Sequence, residues 1–157
     1  MTRGKVAVWA VGFSMNAAFA ALAALGGARP AAAAPPRTGY QIAVPETIEL
    51  VAGRTEAVSL TIAPEPGYTI SRTGPLRIAL SAEPAGALEL PRRRYHRAHA
   101  ADRLASAPRF DLAVRAVQPG RHRLAIDVLF WLCRGRVCRP VRAARAVAID
   151  VRAAPAP

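Results

Sequence analysis

A run of strict alternation constrains this chain more than any other feature. Over residues 124–133 (LAIDVLFWLC), Leu124, Ile126, Val128, Phe130 and Leu132 fall on one side, and Ala125, Asp127, Leu129, Trp131 and Cys133 on the other. A period of two marks a β-strand, and the branched or aromatic set marks the face turned to a core. The run stops at Arg134-Gly135-Arg136-Val137, where Gly135 supplies the positive φ that a tight reversal needs. Cys138 follows. Four residues between the only two cysteines suit a hairpin loop, with Cys133 facing Cys138 across its neck. Directly opposed strand residues bring their Cβ atoms within reach of an S–S bond.

Shorter pieces repeat the pattern. Strands are expected at 41–44 and 47–51, broken by Pro45, and at Val58, Leu60 and Ile62. Residues 68–70 form a short extended piece. Leu76, Ile78 and Leu80 alternate, as do Leu88 and Leu90, then Phe110, Leu112, Val114 and Ala116. Pro119-Gly120 turns the chain into the long run, and Val147, Ile149 and Val151 close it. Alternation lapses over 142–145, which predicts a bulge or a change of pairing. Pro140 lacks an N–H, which predicts an edge or bulge position. Residues 91–108 (PRRRYHRAHAADRLASAP) carry no strand pattern and no apolar face at helical spacing. They read as a long surface loop with at most one helical turn, and such loops often carry function. Eight or nine short strands without a long helix predict an all-β, antiparallel β-sandwich over residues 40–152. A disordered lead (34–39) precedes it and a frayed tail (153–157) follows.

The first 33 residues read as an export signal. Arg3 and Lys5 make a basic head, residues 6–25 are mostly apolar, and small residues follow. Ala31-Ala32-Ala33 fits the cleavage rule, with Ala34 as the first mature residue. The alternative is an uncleaved N-terminal anchor, since the apolar run is near bilayer length. No cysteine lies near residue 30, which excludes a lipid-attached mature N-terminus. A periplasmic or otherwise exported address follows, where paired thiols can be oxidised and stay oxidised. Setting aside Arg3, Lys5 and Arg29 leaves 19 basic residues against 10 acidic, a net charge of +9. The arginines are spread from Arg37 to Arg152 rather than gathered as a nucleic-acid footprint would be. With export, that excludes nucleic acid as a partner.

Other chemistries find little footing. His96, His99 and Asp102 recur at a spacing of three, and His122 stands apart, but soft-metal sites usually enlist cysteine. No metal or other cofactor is expected, and no hydrolase constellation stands out. The cysteine pair admits two readings. As a staple, a bridge closing about six residues stabilises by only about 2 kcal/mol, and the hairpin already closes that loop. As a redox pair, it has Arg134, Arg136 and Arg139 beside it in sequence to favour a thiolate, and Trp131 on the strand face of Cys133 to shield it. Spacing alone leaves both open.

Residues 66–151 resemble the N-terminal periplasmic domain of the transmembrane thiol:disulfide interchange protein family. The resemblance rests, in order, on Gly67-Tyr68, Leu76-Arg77-Ile78, Leu88-Glu89-Leu90-Pro91 followed by Tyr95-His96, the turn over 116–120, and Cys133…Cys138-Arg139-Pro140. It implies an immunoglobulin-like sandwich whose hairpin cysteines cycle between dithiol and disulfide through a mixed disulfide with a partner protein. Carried over by residue, Cys133 and Cys138 are the catalytic pair and Cys138 is the sulfur attacked first. Tyr68 is carried over as a neighbour of the bridge. Trp131, Arg134, Arg136 and Pro140 surround it by their place in the sequence, and Tyr95, His96 and His99 belong to a cap loop. Ala98-His99-Ala100 replaces the acidic and aromatic cap residues of that family, and the cysteine loop is shorter. The implied partner is a thioredoxin-like or membrane electron-transfer protein, or an exported client, with no stable membrane insertion after cleavage. The alternative function is a non-catalytic exported binding module with a structural hairpin disulfide.

Overall fold

The computed structural model of the protein describes residues 38–155. The signal peptide expected over 1–33, most of the lead and the end of the tail lie outside the described residues. The strands are β1 (Tyr40–Ala43), β2 (Thr47–Val51), β3 (Thr55–Pro64), β4 (Thr69–Ile70), β5 (Arg77–Glu83), β6 (Leu88–Glu89), β7 (Arg94–His96), β8 (Arg109–Ala116), β9 (Gly120–Arg134) and β10 (Val137–Arg152). A 3₁₀ turn, Arg97–His99, follows β7. Among the described residues no helix is long and apolar enough to cross a membrane.

One sheet has the order β1-β3-β8-β6 and the other β2-β10-β9-β5-β7, with β4 also on β9. This is an immunoglobulin-like sandwich. All pairs are antiparallel except β2, which runs parallel to β10. Pro45 sits where the chain leaves the first sheet after β1 and enters the second at β2, so the proline break is a change of sheet. Alternation builds the core. Leu124, Ile126, Phe130 and Leu132 of β9 are at most 1 % exposed, as are Leu60 of β3 and Phe110 of β8. Burying one such side chain contributes about 1.5–3 kcal/mol. Tyr40 meets Phe130 edge-on, with ring centroids 5.1 Å apart.

Two expectations are corrected. Residues 91–108 are not all loop, because Arg94, Tyr95 and His96 pair with Ala79, Ile78 and Arg77 of β5. The strand is too short to show a period, and only Tyr95 is buried. Its hydroxyl accepts the Ala113 N–H of β8 at 3.1 Å, joining the two sheets. Nor is there a bulge or change of partner over 142–145. The β9–β10 register runs unbroken from Val137↔Arg134 to Val151↔Gly120. The backbone keeps its period there while the residue types lose theirs. β2 joins β10 only from Ala148 onward, so inward positions nearer the tip lie beside an unpaired edge. Ala143 is half-buried and Arg145 exposed. Pro140 does sit on that edge, and Arg145 donates to the Ala144 carbonyl at 2.9 Å, both of which blunt it against further pairing.

Candidate functional site

The hairpin that ends β9 reverses in two residues, Gly135 and Arg136, since Arg134 and Val137 are drawn into the ladder. Gly135 has φ 59°, as the primed turns of two-residue hairpins require. The next pair outward from the loop is Cys133↔Cys138, and the sulfurs are bonded at 2.03 Å, with the Cα atoms 3.9 Å apart. The two cysteines are unequal. Cys133 lies between β10 and β4, with Thr69 paired on its other side, and is 7 % exposed. Cys138 is exposed on an edge of β10 that no strand pairs among the described residues.

Trp131 and Pro140 form the neighbouring pair on the same face. Above Trp131 the strand partner is interrupted. β4 pairs with Cys133 and Leu132, β5 resumes at Leu129, and residues 71–76 loop out between them. Ser71 N–H donates to the Trp131 carbonyl at 2.9 Å. Gly74 lies so close that a Cβ there would stand 3.0 Å from Trp131 Cβ and Cγ. Arg97, from the turn after β7, donates to the Ser71 carbonyl at 3.0 Å and braces this excursion. The cap-loop segment thus reaches the neighbourhood of the bridge through Ser71 and Trp131. Apart from Arg97, its expected cap side chains are engaged elsewhere: Tyr95 is buried under β8, and His99 Nδ1 accepts the His96 N–H at 3.0 Å.

Side-chain alternation separates residues that lie side by side in sequence. Leu132, Arg134, Val137 and Arg139 share the face opposite the disulfide, where they line one hollow with Tyr68. The Arg134 guanidinium lies 5.7 Å from the centre of the Tyr68 ring. Arg139 donates to the Thr38 carbonyl at 2.9 Å. Arg136 is exposed in the loop. Arg134 and Arg139 therefore do not crowd the sulfurs as their sequence positions suggest, and Tyr68 packs behind the ribbon rather than on the bridge.

Electrostatics around the cap segment are repulsive. Desolvation, with the charges of Arg92 and His96, holds His99 below the ordinary imidazole value. Its bond from the His96 N–H acts the same way, because protonating Nδ1 would break it. Burial, then Arg72, lowers Arg97 from its usual value. Among the described residues no three His, Cys, Asp or Glu side chains gather to hold a metal. Sequence reasoning missed Thr69, Ser71, Gly74 and Arg97. The one signal was Gly74-Pro75 interrupting an extended stretch.

No family model and no curated protein matches the sequence. Among solved structures, murine CRIg aligns at TM-score 0.41 and 10 % identity over 72 % of this chain and 98 % of its own. A conjugative transposon lipoprotein from Bacteroides eggerthii aligns at 0.38 and 15 % identity over 69 % and 97 %. The Escherichia coli alpha-2-macroglobulin fragment from domain MG7 onward aligns at 0.41 and 17 % identity over 71 % of this chain and 16 % of its own. Likenesses at this level carry no functional argument.

Proposed function

We propose that this protein is an exported thiol–disulfide exchange module in which Cys133 and Cys138 alternate between disulfide and dithiol. The observation that carries the reading is the unequal pair at a hairpin tip: Cys138 exposed on an open strand edge, Cys133 sheltered between β10 and β4. Exchange needs one sulfur within reach of a partner and a second held beside it. A partner thiolate attacks Cys138 Sγ, a mixed disulfide forms, and the bonding pair of the old S–S bond departs on Cys133. The partner's second thiolate then attacks its own sulfur in the mixed disulfide and releases Cys138. The partner loses two electrons and becomes a disulfide, and Cys133 and Cys138 gain them as a dithiol. The reverse sequence oxidises this pair. The partner class is a dithiol protein, whether thioredoxin-like, membrane-borne or an exported client. The signal-like first 33 residues fit an oxidising compartment.

A second reading, a non-catalytic binding module with the bridge as a brace, is favoured by one observation. Arg134 and Arg139 face away from the sulfurs, so a thiolate left on sheltered Cys133 gains little from them. The reduction potential separates the two. A value above about −300 mV, with a mixed disulfide trapped by Cys133→Ala, is the expected result. A value far below it, with no trapped partner, assigns the bridge to structure.

A further inference from the structure

Behind the disulfide, the core-side face of the hairpin continues past the end of the sandwich as a groove. Its apolar floor is Val137, 76 % exposed, with Leu132 buried beside it next to Gly39 and Tyr68. Glu65-Pro66-Gly67-Tyr68 forms one wall as a type II turn. Pro66 leads, Gly67 has φ 85°, and the Tyr68 N–H donates to the Glu65 carbonyl at 3.0 Å. The Tyr68–Arg134 stack divides two hollows, about 340 Å³ toward Arg139 and about 630 Å³ toward Gln41 and Glu65.

Charge gives the groove a direction. Five ion pairs occur among the described residues, and their arginines are Arg109, Arg115, Arg121, Arg123 and Arg152. Arg134, Arg136 and Arg139, at the tip, are in none of them, although Arg139 also donates to the Thr38 carbonyl. Glu65 is the single carboxylate lining either hollow, and it lies at the opposite end from Arg139. A guanidinium on an aromatic face beside an exposed apolar floor suits a carboxylate and an apolar side chain presented together.

We infer that this groove seats an extended acidic segment of the exchange partner, with an apolar side chain over Val137 and carboxylates toward Arg134 and Arg139. The inference rests on the exchange reading for the identity of the partner, but not for the binding itself. Seated there, a partner is held at the same hairpin that carries Cys138, and exchange becomes effectively intramolecular.

The test uses fluorescence anisotropy on the purified protein with Cys133→Ser/Cys138→Ser, so that no covalent capture contributes. Two labelled peptides share one leucine and differ in carrying three glutamates or three lysines. The acidic peptide is expected to bind at least tenfold tighter, and to weaken as salt rises. Arg134→Gln/Arg139→Gln should weaken it at least tenfold, and Glu65→Gln should tighten it. Equal affinity for both peptides, or indifference to the arginine substitutions, overturns the inference. So does binding that emerges only when residues 34–37 are deleted, which would assign the groove to the chain's own lead. A low potential with intact acidic-peptide binding rejects exchange and keeps the groove, and the opposite pattern rejects the groove alone.

Discussion

Replacing both cysteines by alanine should leave the sandwich folded and only modestly less stable. The bridge spans a sequence separation of five. On the chain-entropy model a loop that short is worth about 2 kcal/mol. Even that is an upper figure, because the β9–β10 register holds the same neck closed and continues without a break to Val151↔Gly120. Cys133 is buried, but the alanine pair removes only two sulfurs at the rim, away from the core built on Phe110, Phe130 and Leu60. For a domain of this size 1 kcal/mol moves the melting temperature by roughly 3–6 °C, so a fall of no more than about 6–12 °C is expected. Thermal and urea unfolding of the oxidised protein and the Cys133→Ala/Cys138→Ala variant give the comparison directly. Loss of cooperative unfolding, or a cost above about 4 kcal/mol, would refute the reasoning, because the ribbon would then depend on its bridge. That outcome would also favour the brace over the exchange module.

Tyr95→Phe keeps the buried ring and removes the acceptor of the Ala113 N–H, so it should cost about 1–2 kcal/mol in urea unfolding. No measurable change would mean that water replaces the hydroxyl and that β7 is not tied to β8. His99 should titrate below the ordinary value of 6.5. The folded state resists the proton that the unfolded chain accepts, so the turn after β7 loses stability as the pH falls below about 6.5 toward the folded value. Nuclear magnetic resonance titration of the His99 ring checks this, and a midpoint above 6.5 would contradict it.

Local pattern carries a strand only when the strand is long enough to show it. β3, β5, β8 and β9 alternate over at least seven residues, and their inward sets are the buried ones. β7 has three residues and one apolar side chain, and its place depends on β5 beside it and Ala113 across the core. β10 stays straight through Arg142 and Arg145 because β9 holds its register, which no window of its own sequence reveals.

The amino-acid order by itself settled the β class, the inward faces of β3, β5, β8 and β9 and the meeting of Cys133 with Cys138. All three follow from a two-residue period and a glycine turn, which are properties of neighbouring residues. Tertiary structure decided the parallel docking of β2, the shelter that Thr69 gives Cys133, the excursion over Trp131 and the company of Arg134. Those depend on which strand lies alongside and which face each residue shows, and they join residues as far apart as Thr47 and Ala148. The residues flanking the cysteines in sequence were split between two faces because a pleated strand sends successive side chains in opposite directions.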